Sequence, residues 1–296
     1  MKPRRFLRHI PGFIALAPAT LVVLVVYIGC VAWSIQISTT NSRILPSSQY
    51  VGLRQYEILF ANERWLTSLQ NLVIFGLLFI AIAIAIGFLL AILIDQKIQG
   101  EGLFRTVYLY PFSMSFVVTG LAWQWILTPA NGIEKVVRDL GFPNFRFDWI
   151  VDQQMVIYTI VLAAVWHAAG LVMAIALAGL RGIDAEIWKA IRIDGIPKWR
   201  AYLFIVIPML KASLATAVVL LSISVVRLYD LVVAMTHGGP GIASEVPAKF
   251  VIDYLFERQN IGLATAGTTV MLVTVLAVLT PYVYLQHRRS LKGGHA

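Results

Sequence analysis

Few residues in this chain are able to do chemistry, and several of them sit together. Arg227 and Asp230 close an apolar run, about one helical turn apart on one face if the run is helical. Ionisable groups in such a run are expensive and face a bundle interior or water. Two readings stand. The two residues satisfy each other near an interface, or one of them lines a substrate path, where a carboxylate can accept bidentate hydroxyl hydrogen bonds. Tyr229, between them, adds an aromatic surface. Trp123 and Trp125 in one apolar run, and Trp166-His167 in another, are similar candidates, because aromatic rings stack on the C–H faces of pyranose rings. Packing or interfacial anchoring is the alternative for each Trp. Asn71 can bond a ligand or, in the reading preferred here, a neighbouring helix.

Missing motifs narrow the chemistry. No G-x-x-x-x-G-K-[ST] loop occurs, so the chain does not hold ATP by that route. The stretch HGGPG at His237–Gly241 resembles the oxyanion loop of some esterases, but no G-x-S-x-G turn accompanies it. Cys30 is the only cysteine, which excludes an intramolecular disulfide, a Cys-rich metal site and a redox pair and leaves it as a small apolar filler. The expectation is a chain with no catalytic residue, no metal and no cofactor of its own, and so not an enzyme.

The elements that position these residues follow from composition. Of 296 residues, 59% are hydrophobic and only 13% charged, with a mean hydropathy of +0.78. Soluble chains carry about a quarter charged residues. Uncharged windows run from His9 to Ser42, Trp65 to Ile94, Thr106 to Ile133, Gln153 to Leu180 and Gln259 to His287. A sixth, Ala201 to Val226, is interrupted only by Lys211, read as snorkelling to the surface. A bilayer core takes about 20 apolar residues. The predicted fold class is therefore all-α: a polytopic membrane protein of six transmembrane helices, near 12–36, 68–94, 103–127, 155–180, 203–228 and 262–286, in a single domain over 1–296.

Orientation follows from the basic residues. With both termini inside, fifteen Lys and Arg fall on the cytoplasmic side, including Lys2, Arg4, Arg5, Arg8 and Lys97, against nine outside. The net charge of +9 then belongs to the inner face, where it suits anionic lipid; no soluble basic domain exists for nucleic acid. The opening MKPRRFLRHI and the run after it read as a first anchor, since the run exceeds a signal-peptide core and lacks an Ala-x-Ala-like site. The fourth predicted helix is rich in small residues, among them Ala163, Ala164, Ala168, Ala169 and Gly170. They permit close packing within the chain or against a second membrane subunit.

One inner segment is large, Asp184 to Leu210: DAEIWKAIRIDGIPKWRAYLFIVIPML. Asp184 can cap a short helix. Ile187, Trp188, Ile191 and Ile193 put its apolar weight on one side, Gly195 stops it, and Ile196-Pro197 forces an extended link before a second helix. This resembles the cytoplasmic helix-Gly-helix loop of permeases of the ATP-binding-cassette (ABC) class, whose pattern is E-A-A, three residues, Gly, nine residues, I-x-L-P. Here Lys189-Ala190-Ile191, then Gly195, then Ile205-Val206-Ile207-Pro208 keep that spacing; Lys189, Ile191 and Ile207 depart from the usual Glu, Ala and Leu. The later segment LYDLVVAMTHGGP, Leu228 to Pro240, resembles F-D-x-V-x-x-L-T-x-G-G-P, which ends the fifth helix of carbohydrate permeases of that class. Gly238, Gly239 and Pro240 would break the helix and let backbone line a cavity. NERWLTSLQNLVIFGLLF, LLAILIDQKIQGEGLFRTVYLYP and NFRFDWIVDQ look like the glucose/mannose branch of the bacterial sugar permeases.

The resemblance implies a subunit of a bacterial inner-membrane importer, with a second permease, two ATPase subunits holding ATP and Mg, and an extracytoplasmic sugar-binding protein. It implies that a cytoplasmic coupling loop over 184–200, with Glu186, Ile187, Lys189, Ala190, Ile191, Asp194, Gly195 and Pro208, meets the ATPase, and that a monosaccharide such as glucose or mannose passes unchanged. A di- or oligosaccharide is the alternative cargo. A rival class is an ion-coupled transporter or channel without an ATPase, which needs coupling carboxylates deep in the bundle, where this chain offers only Asp230 near a helix end. A third, a scaffold without transport, leaves the Gly195 loop without a use.

Overall fold

The computed structural model describes residues 10–96, 98–129 and 131–293. Lys2, Arg4, Arg5, Arg8 and Lys97, used above for orientation, lie outside the described residues. Regular structure among the described residues is helical, apart from one isolated antiparallel bridge between Thr40 and Tyr50. Helix α1 (Ile10–Val22) passes through a wider π turn (Val23–Ile28) into α2 (Gly29–Ser38). There follow α3 (Arg54–Phe60), α4 (Glu63–Asp95), α5 (Glu101–Ser113), α6 (Phe116–Leu127), α7 (Ile133–Asp139) and α8 (Val156–Arg181). Next come α9 (Ala185–Ile193), α10 (Lys198–Arg200), a π stretch (Ala201–Val206), α11 (Ile207–Met209) and α12 (Lys211–Val226). The chain ends with α13 (Asp230–Thr236), α14 (Pro247–Ile252), a π stretch (Asp253–Glu257) and α15 (Ile261–Gly293).

Among the described residues, three helices are long and apolar enough to cross a bilayer: Leu16–Ser38, Glu63–Asp95 and Val156–Arg181. A fourth crossing arises if the bent pair Lys198–Met209 and Lys211–Val226 counts as one. Phe116–Leu127 and Ile261–Ala277 are shorter apolar helices. Two expected helices are not continuous. Where one helix is predicted over 103–127, the chain forms α5 and α6. Pro111 lacks the N–H that would bond the preceding turn, Met114 is extended (φ −81°, ψ 152°), and Ser115 starts afresh, its Oγ accepting from Val118 N at 3.3 Å. Where one helix is predicted over 203–228, the limbs on either side of Leu210 are bent by 73°. Pro208 removes another donor just before the bend, and Leu210 (φ −83°, ψ 5°) leaves helical geometry.

The chain forms two compact units, one of residues up to Asn62 together with those from Val251 on, the other Glu63–Phe250. In the first, α15 packs with α2 and α3. Gln55 Nε2 donates to Thr40 O at 3.0 Å and Gly262 N to Ser42 O at 2.9 Å, fixing the α2–α3 link on the start of α15. From Leu21 to Ile28 every side chain is at least half exposed, an apolar surface suited to lipid or to another membrane chain.

In the second unit the core runs along α4 and α8. Buried Ser68, Asn71, Phe75, Phe79, Ala83, Gly87, Ala91 and Ile94 recur every three or four residues and make one face of α4. It meets α8, whose Ala163, Ala164, Ala168, Ala169 and Ala176 are buried within this chain. Many of the small residues of α8 therefore serve packing inside the subunit. Gly170 is the tightest case: a Cβ there would come within 1.9 Å of Tyr108 O, so only glycine lets the α5 backbone cross α8 here.

Candidate functional site

The Asp184–Leu210 segment forms an elbow with a definite start and stop. Asp184 Oδ1 accepts from Glu186 N at 3.0 Å, capping α9. At the other end Gly195 takes φ +64°, which lets Ile196 N reach Ile191 O at 3.2 Å and close the last turn. Pro197 is extended (φ −62°, ψ 141°). Ile191 is buried and Trp188 half-buried, its ring 5.8 Å from Tyr202. Both rings pack on a cluster that includes Ile94, Leu177, Leu180 and Val206.

The predicted apolar stripe needs one correction: Ile193 is 84% exposed and points away from the chain. Ile193 is still helical and lies two residues past Ile191, about 200° further round the helix, so it falls on the face opposite Ile187 and Ile191. Glu186, Lys189, Ala190, Asp194, Gly195 and Pro208 are exposed, and Ile187 is half-buried. Sequence reasoning missed Arg181, just before the elbow. Its guanidinium bonds Glu101 Oε1 at 2.7 Å and lies 3.5 Å from Asp95 Oδ1, tying the ends of α4 and α8 to the start of α5.

The second group of candidates surrounds the end of α12. Arg227 and Asp230 do not share a helical face. The helix stops at Val226, Tyr229 takes φ −127° and ψ −61°, and a new helix starts at Asp230. Tyr229 N turns back to Arg227 O at 2.8 Å in place of the next helical bond, while buried Leu228 anchors the break. No ion pair joins the two among the described residues, which removes the mutually satisfied reading. Arg227 instead lines a small cavity with Phe75, Phe79, Phe116, Ser224 and Leu231; Tyr229 and Asp230 do not line it. Trp123 and Trp166 are brought together edge to face at 5.9 Å, with Trp166 partly exposed. Trp125 stands apart and exposed. His167 is buried, with Nδ1 3.2 Å from Thr119 Oγ1 and its ring 4.4 Å from Phe116.

The loop after α13 is a built structure. His237 (φ +52°) and Gly238 (φ +87°) end the helix, and Gly239–Pro240 is cis. Ser244 Oγ donates to Gly239 O and pairs with Thr236 Oγ1, both at 2.7 Å. Asn71 Nδ2 donates to Ala243 O and Glu245 O, each at 2.9 Å, so its partner is this loop's backbone. Glu245 pairs with Arg64 at 2.8 Å, and Trp65 packs on Phe250 at 5.2 Å. Sequence reasoning passed over Arg64, Ser244 and Glu245. The available signal was the spacing of Arg64, Ser68 and Asn71, polar residues on one face at the head of a long apolar helix.

Helices long enough to cross a bilayer, an exposed elbow and a hydrogen-bonded loop after a broken helix are the features of a polytopic membrane protein. Residues 83–290 match the family described as the binding-protein-dependent transport system inner membrane component. The chain belongs to that family, whose members are transport permeases. It is 36% identical over 275 residues to a probable ABC transporter permease protein of Pyrococcus horikoshii, covering 92% of this chain and 94% of that protein. It is 30% identical to a xylose/arabinose import permease protein of Haloferax volcanii, over 92% and 86% of the two chains. A glucose import system permease protein of Saccharolobus solfataricus is 26% identical over 95% and 98%. The fold matches a chain of a bacterial ABC transporter involved in import of the acidic polysaccharide alginate, with a TM-score of 0.81, 15% identity and coverage of 96% and 99%. The resemblance to carbohydrate-uptake permeases thus extends over nearly the whole chain, and no single sugar branch stands out among these relatives.

Proposed function

We propose that this chain is one permease subunit of an ATP-driven, binding-protein-dependent sugar importer, with the α9–Gly195 elbow as its contact to an ATPase subunit. The observation that carries the proposal is the elbow's exposed rim. Glu186, Lys189, Ile193, Asp194 and Gly195 face away from the chain, while Trp188 roots the same helix in the cluster at the ends of α4 and α8 and Ile191, also on that helix, is buried. A push on the rim is therefore delivered to α4 and α8, the two helices along which this unit's core runs, and through Arg181 to α5. In this reading the chain crosses the membrane six times with both termini inside, and α5 with α6 makes one interrupted crossing. ATP and Mg belong to two ATPase subunits, a second permease completes the pore, and substrate passes unchanged. Membership in a binding-protein-dependent family weighs against the ion-coupled alternative.

The cargo proposed is a monosaccharide of the glucose/mannose kind, taken past the Trp123–Trp166 pair and the Arg227 cavity. Relatives named for trehalose/maltose and for diacetylchitobiose support a di- or oligosaccharide as the second reading. The test is retention of the ATPase subunit on the purified complex. Ile193→Asp touches nothing that holds the chain together, so retention should fall while the melting temperature stays. Gly195→Asp should also lower retention. Full retention in both would remove the coupling role. Sugar-stimulated ATP turnover, measured over a panel of mono- and disaccharides, separates the two cargo readings.

A further inference from the structure

We propose that the limb Lys198–Met209 lies in the plane of the bilayer surface and holds the phosphates of anionic lipids with Lys198, Arg200 and Lys211. The proposal rests on the topology given above, in which α12 crosses the bilayer. A limb bent by 73° from α12 is then close to parallel with the membrane.

Its two faces suit that placement. Ala201, Val206 and Leu210 are buried against the chain, and Trp199 (58% exposed), Leu203 (52%), Phe204 (71%) and Met209 (43%) form the outward face. Water is a poor surrounding for four such residues on one short limb. The hydrocarbon core is equally poor for the cations at both ends. The headgroup boundary serves both, with Trp and Phe sunk shallowly and Lys and Arg at the phosphates.

The cations are unspent. Among the described residues no ion pair engages Lys198, Arg200 or Lys211, and the acidic groups Asp95 and Glu101 on this side are taken by Arg181. Arg200 is stacked beside Trp199, its guanidinium carbon 5.0 Å from the ring, which leaves its N–H fork open to a phosphate. The placement also accounts for Lys211, the single charge in the window Ala201 to Val226. With the limb in plane, Lys211 sits at headgroup depth where the crossing begins.

A protein occupant, the ATPase, is disfavoured by the contrast with α9. The α9 rim mixes both charge signs, Glu186 and Asp194 with Lys189, whereas the limb's outward face is apolar with cations only at its ends.

The experiment uses the full chain in its assembled complex, in a Cys30→Ser background. Leu203→Cys and Phe204→Cys are each labelled with a polarity-sensitive fluorophore in phospholipid nanodiscs. Quenching by shallow lipid-borne quenchers and protection from aqueous iodide, with or without the ATPase subunits, is the expected result. Iodide quenching that only added ATPase relieves would overturn the proposal and assign the limb to that partner. In parallel, retained phosphatidylglycerol is counted by native mass spectrometry. Lys198→Gln, Arg200→Gln and Lys211→Gln should each weaken its retention about fivefold relative to phosphatidylcholine. Unchanged retention in all three, or displacement of the lipid by inorganic phosphate, would overturn the lipid site. Neither readout involves sugar or ATP turnover, so it can fail while the importer reading stands, and the reverse.

Discussion

Arg64 and Glu245, 181 residues apart in sequence, meet in an ion pair of 2.8 Å with the Glu245 side chain only 2% exposed. The pair fastens the loop after α13 to the first turn of α4, and Asn71 two turns further along α4 holds the same loop by its carbonyl groups. These three bonds fix the loop against the first turns of α4.

Glu245 is buried, so truncating it removes a charge-assisted bond to Arg64 that water does not replace. Glu245→Ala should cost about 3 kcal/mol, seen as a lowered melting temperature of the detergent-solubilised chain. An unchanged melting curve would show that the pair does not hold the loop.

Gly170 and Gly102 make a matched contrast. A Cβ at Gly170 meets the Tyr108 carbonyl, which is backbone and cannot move aside; at Gly102, inside α5, it meets nothing within 4 Å. Gly170→Val should lower folded yield and stability by about 3 kcal/mol or more. Gly102→Ala should be neutral or stabilising by up to about 1 kcal/mol. Equal behaviour in thermal melts would refute the close crossing of α5 and α8.

Two caps set where helices begin after an interruption. Asp184→Ala and Ser115→Ala should each cost about 1 kcal/mol. The Asp184 change should also raise hydrogen exchange within Ala185–Ile193 while leaving α8 protected. Uniform exchange over both segments would mean the elbow does not start independently.

Arg227 and Asp230 lie on either side of a helix break without an ion pair. A double-mutant cycle with Arg227→Gln and Asp230→Asn should therefore be additive to within about 0.5 kcal/mol in stability. Sugar-stimulated ATP turnover should respond more to Arg227→Gln, since only Arg227 lines the cavity with Phe75, Phe79 and Phe116. A coupling well above that bound would restore the pair.

The amino-acid sequence alone determined the membrane class and the elbow. Several uncharged windows of about 20 residues or more suit helices in lipid, and the signals of the elbow are local. Asp184 caps its own helix, Gly195 supplies a positive φ, and Pro197 forces extension, all within a few residues. The helix interruptions were less legible. Apolar composition runs on through Met114-Ser115 and, but for Lys211, through Leu210, because lipid and protein interior select the same side chains whether a helix is straight or bent. The separation of Arg227 from Asp230 follows from the backbone at Tyr229, which periodicity cannot register, whereas the outward position of Ile193, two residues past Ile191, was legible in helical spacing. The Arg64–Glu245 pair, the Asn71 bonds and the Gly170 crossing depended on tertiary structure alone. Each joins residues far apart in the chain, and a partner's identity is decided by which helices pack together.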